Sequence, residues 1–424
     1  RLLTKNVIAI IEKIIIIVFL IKFSIIMSKF DIAIIGAGFA GLSAAISLSD
    51  ISPEISIALI EKTDFLAKKK SSDGKNFAIS NNSIKLFQKI NVWNNLKDKA
   101  GKIKDIDISD KNSPFHLHFD SKLFQGSKQM GVMLKSYDIY NELCQRIKIQ
   151  KNIQIFAPNS YQDINFDDKE SEIIFDDSSK ISAKLIIIAD GRKSYFRDKF
   201  QIATNYKHYN QTALVFDIEH SRDHQNIAYE KFFPEGAFAI LPLKEQNKSS
   251  IVWMVKTDLK DVYLDFDQAD LTNQLMKKIG DDLGKVEIKT KIFSYDLELI
   301  YPKEYFYKKA LLVADAAHAI HPIAGQGFNL GIKDVVILTD LIENNFKSGE
   351  DLNSDELIAK YNKLAKLEAK KMILATDNLD KLFSNNILPV KIARDLGLAI
   401  TERMPRLKKL FIKIAGGGSF NSHL

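Results

Sequence analysis

An apolar run, FDIAII, leads straight into Gly36-Ala-Gly38-Phe-Ala-Gly41 and continues as LSAAISLS. The run has the character of a buried parallel strand, and the LSAAISLS stretch has that of a helix. Joining the two so abruptly constrains the fold strongly. Gly36 permits the tight turn, Gly38 lets a ligand's pyrophosphate approach the backbone, and Gly41 lets helix and strand pack closely. The helix N-terminus then offers unpaired N–H groups and the positive end of its dipole to phosphate. A second apolar run, ISIALI, ends in Glu61, twenty residues after Gly41. A carboxylate there can accept hydrogen bonds from adenosine ribose hydroxyls and would repel a 2′-phosphate. Strand, turn, helix and acid together read as a dinucleotide site, which does not by itself separate NAD from FAD.

Composition narrows the class. A chain of 424 residues can bury a large core, so two or three lobes are expected. The formal charge of +7 is partly an end effect, because residues 1–26 carry a net +3. What remains is too small and scattered for a nucleic-acid partner. The single cysteine, Cys144, cannot form an internal disulfide, so the chain reads as reduced and intracellular, and chemistry through a cysteine pair is excluded. Its setting, YNELCQRI, reads as a helix interior and favours a buried structural thiol over a catalytic one.

Residues 1–27 form a hydrophobic N-terminal extension interrupted by Glu12, Lys13 and Lys22, with no small-residue cleavage site. From Met27 the chain enters the first strand almost at once. Residues 1–26 therefore read as sequence upstream of the native start, the other reading being a hydrophobic anchor.

Two later motifs select between the dinucleotides. The strand KLIIIA runs into Asp190-Gly191-Arg-Lys-Ser194-Tyr-Phe-Arg197. This segment resembles the Ala-Asp-Gly-x-x-Ser-x-x-Arg signature of flavin-dependent aromatic hydroxylases. The third motif, ALLVADAAHAIHPIAGQGFNLGIKDVVIL, reads as strand, acidic turn, glycine loop and long helix. Asp315 ends the strand, where it could bind ribitol hydroxyls. Gly325, Gln326 and Gly327 bring backbone N–H groups forward at a helix beginning near Asn329. Such a helix end suits the pyrimidine edge of an isoalloxazine ring, whose reduced form carries negative charge there.

The third motif resembles the ubiquinone-biosynthesis branch of the para-hydroxybenzoate hydroxylase superfamily, which carries Gly-Asp-Ala-Ala-His and then His-Pro-x-Ala-Gly-Gln-Gly-x-Asn-Leu-Gly. The resemblance covers nearly everything from Met27 onward. It implies FAD as cofactor, NAD(P)H as reductant and O2 as co-substrate. It implies that Asp190 and Gly191 touch FAD and the passing nicotinamide, and that Asp315 holds ribitol. Pro322 and Gln326 would line the flavin ring, with Gly325, Gly327 and Asn329 around it. Three positions depart from the pattern. Ala314 replaces a glycine and is expected to add a methyl where backbone approaches ligand. Lys75, two residues after Asp73, replaces an arginine and is expected to keep charge near phosphate without bidentate contact. Lys333 replaces another common arginine.

Other chemistry finds less support. Asp315, His318 and His321 stand three apart, but the Pro322 beyond them is poorly placed inside a helix, so a metal stripe is set aside. No second strand–GxGxxG–helix occurs after Gly41, so NAD(P)H is expected to bind transiently in a groove. No Ser-His-Asp or Cys-His arrangement has local structure to support it. Near the C-terminus, Leu407, Leu410, Phe411 and Ile414 at helical spacing alternate with Arg406, Lys408, Lys409 and Lys413. That helix suits an anionic membrane surface, or equally its own core.

The expected architecture is α/β. A discontinuous Rossmann-like FAD-binding domain comes from 28–104, 130–204 and 296–345. A mixed or antiparallel-sheet substrate domain comes from 105–129 and 205–295, and a helical region from 346–424. The resemblance implies ring hydroxylation of a polyprenylated phenol in ubiquinone biosynthesis through a C4a-hydroperoxide. The expected location is cytoplasmic, with peripheral contact to the inner membrane face through the basic C-terminal helix and contact with other enzymes of that biosynthesis. The sequence names no base for the phenol. An FAD-dependent reductase or dehydrogenase acting on an isoprenoid, or a non-catalytic lipid or protein escort, would carry the same fingerprints.

Overall fold

The computed structural model describes residues 28–67, 74–110, 116–121, 129–320 and 325–383. The N-terminal extension, Asp73, His321, Pro322 and the basic segment around Leu407 lie outside these residues.

Isoleucine-rich runs build the first sheet, since β-branched chains suit strands buried on both faces. Its parallel centre runs Ala310–Leu312, Lys180–Ile188, Ser28–Ile35, Ile57–Ile60, Ile153–Phe156. Two antiparallel strands, Ser171–Phe175 and Tyr161–Asn165, extend it from Lys180–Ile188. The register is what matters for function. Ile35 stands opposite both Ile60 and Ile188, and Ile188 stands opposite Leu312. Glu61, Asp190 and Asp315, with the Gly36 turn, therefore emerge along one edge of the sheet.

The helix Phe39–Ser49 covers this sheet, and position 41 in its first turn has room for glycine alone. A Cβ on Gly41 would lie 1.9 Å from the Gly36 carbonyl oxygen. Gly36 itself has φ +105°, and a Cβ there would lie 2.4 Å from the Ala189 carbonyl oxygen.

The second sheet is antiparallel except where Ile227–Phe233 meets Asp105–Asp110 in parallel. Its order is Val286–Ile288, Thr204–His220, Lys248–Lys256, Gly236–Pro242, Ile227–Phe233, Asp105–Asp110, His116–Asp120, with Phe293–Pro302 also pairing Thr204–His220. Period-two alternation sends the residues of each strand to two different cores. Leu214, Phe216, Phe238 and Trp253 pack with Leu271 and Leu275 of the helix Gln268–Ile279. Ala213, Val215, Phe232 and Met254 face the other way, onto Met130 and Met133. Met133 belongs to a small sheet of Asn76–Ser80, Gly131–Lys135 and Gly101–Ile103 that lies between the larger ones. Cys144 is buried in the helix Ser136–Ile147, as its setting implies.

The long helix Gln326–Ser348 and the C-terminal helix Asp355–Phe383 pack on the first sheet's core. Among the described residues no helix is long and apolar enough to cross a membrane.

Because the clash at Gly41 is with backbone, Gly41→Ala is expected to destabilise the fold by about 3 kcal/mol or more, at the upper end of overpacking costs. Urea denaturation of the two proteins measures it.

Candidate active site

Two helix N-termini define the site. The helix Phe39–Ser49 begins at an exposed Gly38, and the long helix begins at Gly325, which holds φ +62°. The latter starts at Gln326, three residues earlier than the sequence suggests, because a left-handed glycine serves as its N-cap. Among the described residues neither end has a capping side chain, and neither has an acidic residue in its first turn. A side-chain cap is ordinarily worth about 1 kcal/mol, so two bare ends at one edge are costly unless a ligand satisfies them. Gly38 has open space where a Cβ would stand, and so does Gly191, at φ +89°.

Aromatic rings join the two ends. Phe39, inside the first glycine motif, meets Phe328, inside the third, edge-to-face at 5.6 Å. Phe77 stacks on Phe328 at 4.6 Å and meets Phe39 edge-to-face at 5.3 Å. Phe39 and Phe328 occupy variable positions of their glycine motifs, and sequence reasoning assigns them no role. Their shared apolar character is the only signal that could have found them.

Asn329 anchors the third motif. Its Oδ1 accepts from the Ser80 N–H at 2.9 Å and the Ser83 hydroxyl at 2.8 Å, and its Nδ2 donates to the Ala78 carbonyl at 2.8 Å. The side chain expected to surround a flavin thus engages protein and holds the Gly325–Gly327 turn against the small sheet. Glu61 is also partly engaged. One carboxylate oxygen accepts from the Ala37 N–H at 2.9 Å and the other from Thr63. An ionised carboxylate has about four acceptor sites, so ribose hydroxyls can still be accommodated.

In the second motif, Asp190 turns inward. Its Oδ2 accepts from the Phe196 N–H at 3.2 Å, while its Oδ1 is buried with no hydrogen-bond partner. Burial raises its pKa, and Ser194, the Phe196 N–H and Arg197 only partly offset that. Arg197, 3% exposed, reaches across to the third motif. Its guanidinium donates to the carbonyls of Asp315 at 3.2 Å and Ala316 at 2.7 Å. The spacing of neither motif signals this clamp between them.

Asp315 is exposed, while His318 is buried and paired with Asp334 at 2.6 Å. The two side chains are therefore not neighbours on a metal-binding stripe. Asp334, on the long helix, also accepts the Ala314 N–H at 3.0 Å. Burial pulls the His318 pKa down, but the charge and hydrogen bond of Asp334, with help from Asp315, outweigh it and the net shift is upward.

The structure gives positions 314, 75 and 333 neighbours within the protein. Ala314 adopts φ +55°, which turns its methyl into the long helix, where a Cβ on Gly331 would lie 2.8 Å from it. The methyl faces the gap that Gly331 leaves. Lys75 holds its ammonium 4.4 Å over the Tyr295 ring, at the wall between the small and second sheets. Lys333 pairs with Glu368 and ties the long helix to the C-terminal one.

The donor set fits FAD. Bare helix ends suit pyrophosphate and a pyrimidine edge, and Glu61 and Asp315 offer carboxylates beside them. Comparison with known proteins agrees. The FAD binding domain family matches residues 29–376. The ubiquinone hydroxylase UbiL of Rhodospirillum rubrum is 34% identical over 91% of this chain and 89% of its own. The chain belongs to the FAD-dependent ubiquinone-hydroxylase family. The 3-demethoxyubiquinol 3-hydroxylase of Escherichia coli is 28% identical over 91% of this chain and 98% of its own. The p-nitrophenol 4-monooxygenase of Pseudomonas putida shares the fold, with TM-score 0.74 over 92% of this chain and 99% of its own at 15% identity. As a member of this family the protein is an FAD-dependent monooxygenase.

The geometry of the third motif is open to two tests. Gly331→Ala is expected to be destabilising, and Ala314→Gly in the same chain to restore at least about 1 kcal/mol, a coupling that a double-mutant cycle reads. Stability from His318 is complete below its ordinary pKa near 6.5 and is lost as pH rises through its higher folded value. The melting temperature should therefore fall with pH above about 6.5, and His318→Gln should flatten that fall.

Proposed function

We propose that the protein hydroxylates the ring of a polyprenylated phenol in ubiquinone biosynthesis, with NAD(P)H as reductant and O2 as co-substrate. The observation that carries this reading is the pair of bare helix ends beside a broad apolar sheet face. Bound FAD would supply the redox and oxygen chemistry. The chain supplies binding and exclusion of water. Gly36, Gly38 and Gly41 would receive the pyrophosphate, Glu61 the adenosine ribose and Asp315 the ribitol. The turn Gly325-Gln326-Gly327 would present its N–H groups to the pyrimidine edge, positioned by Asn329. Gly191, with open space where a Cβ would stand, leaves room for the nicotinamide to approach.

The phenol would lie against the face carrying Ala213, Phe232 and Met254. Ala78 packs on that face, and a Cβ on Gly325 would stand 3.3 Å from the Ala78 methyl, so the apolar face and the pyrimidine turn adjoin. A surface of this kind holds an aromatic ring with a hydrocarbon tail and keeps water from the reacting atoms. The names of the relatives, ubiquinone hydroxylase and 3-demethoxyubiquinol 3-hydroxylase, support the same substrate class.

Purified protein is expected to show a flavin absorption band that bleaches when NADH or NADPH is added without oxygen. In air, a short-tailed 2-prenylphenol should gain one oxygen by mass. A product heavier by two hydrogens would instead establish the reductase, and a colourless protein that refuses FAD would overturn the site itself.

A further inference from the structure

Alternation places three acids on the apolar face of the second sheet: Asp217, whose Oδ1 accepts from Asn76 of the small sheet at 2.8 Å, Asp110 at the end of its strand, and Glu230 between apolar neighbours. Glu230, in the strand Ile227–Phe233, shares that face with Ala228 and Phe232 and stands opposite Ala239 on one side and Ile108 on the other. Its residue exposure is 9%. Among the described residues it has no hydrogen-bond or ion-pair partner, which is rare for a carboxylate so enclosed. Neighbouring Lys231 points to the opposite face, where it pairs with Asp282. Burial pushes the Glu230 carboxyl up to about 7, with no cation or hydrogen bond among the described residues to lower it.

Such a group is a liability to the fold and calls for a donor from outside the protein. Its surroundings define that donor. Ala78 of the small sheet packs on the same face and lies at the Gly325 turn, so the face that holds the acid adjoins the pyrimidine turn. A ligand there must be largely hydrocarbon and carry a hydroxyl. A prenylated phenol meets both requirements.

We propose that Glu230 is the catalytic residue that receives the phenolic hydroxyl of the substrate and takes its proton as the ring is activated. The assignment rests on the prenylated phenol being the substrate. The O–H bond breaks, its proton joins a Glu230 oxygen, and the electron pair left on the phenol oxygen enriches the ring carbon that is to be hydroxylated. Once that carbon has gained its oxygen, its C–H proton leaves to water. The carboxylic acid then returns its proton to the ring oxygen, restoring the aromatic ring and the carboxylate. The oxygen atom and the reducing equivalents are those of O2 and NAD(P)H.

The test uses FAD-loaded wild type, Glu230→Gln and Glu230→Leu with a short-tailed 2-prenylphenol. Glutamine still accepts a hydrogen bond but takes no proton. Its variant should keep the flavin band and a near-normal KM while kcat falls about 100-fold, the low end for loss of a general base. The wild-type rise of kcat/KM with pH, centred near 7, should vanish. The leucine variant should lose kcat and raise KM together. A fold readout runs alongside. Glu230→Gln should melt above wild type at about pH 8, because ionising the enclosed carboxyl costs the wild type stability there. The two should converge as pH falls through 7 toward the ordinary carboxyl value of 4.5, where the unfolded chain takes up the same proton. A wild type more stable than the glutamine variant at about pH 8 would show the carboxylate paired with a cation and overturn the proposal. So would a glutamine variant with wild-type kcat and an unchanged pH profile, and in that case the phenol reading survives. A wild type that hydroxylates no prenylated phenol sinks the functional reading and this proposal with it.

Discussion

The parallel ladder of the first sheet is the constraint on which the rest depends. Its hydrogen bonds bring Ile35, Ile60, Ile188 and Leu312 level, although the chain visits them far apart in sequence. Every motif that succeeds one of those strands is thereby delivered to the same edge. The tight contact of Gly41 with the Gly36 carbonyl then fixes the first helix against the sheet, so its N-terminus points where the other motifs emerge. A shift of this register would separate the parts of the site without altering any of them.

At that edge the protein uses its side chains to hold backbone in place. Asn329 fastens the Gly325 turn to the small sheet, Arg197 grips the carbonyls around Asp315, and Asp334 receives both the Ala314 N–H and His318. What remains open is mostly main chain: the first turns of two helices and the unfilled spaces at Gly38 and Gly191. This division of labour suits a cofactor whose phosphates and pyrimidine edge are recognised by N–H groups. It also explains how Ala314 can replace a glycine. The methyl is absorbed by the space that Gly331 leaves on the long helix.

The second sheet works differently, through alternation. One face builds a conventional core with the helix Gln268–Ile279. The other is apolar too, yet it faces the small sheet and the Gly325 turn and encloses Glu230, which has no partner among the described residues. An edge made of main chain, the proposed cofactor side, thus meets an apolar face made of side chains, the proposed substrate side. The small sheet between them carries Lys75 and Ala78 at the seam.

Much of this is legible in the sequence. Local chemistry determines the strand–glycine–helix unit, the acids at strand ends and the antiparallel character of the second sheet, and the resemblance of two later motifs implies FAD. Each of these depends on residue type at short spacing, which a linear reading preserves. Tertiary structure decides what short spacing cannot hold. Phe39 and Phe328 gain a role only when folding brings two helix ends together. Asp190 and Asn329 have the chemistry of ligands, but burial and distant partners turn them toward the protein. Glu230 is one charged residue in a strand, IAYEKFF, with nothing in the sequence to distinguish it from Lys231. Only the pleat, which sends neighbours to opposite faces, and the packing of another sheet over one of those faces leave the acid enclosed and unpaired.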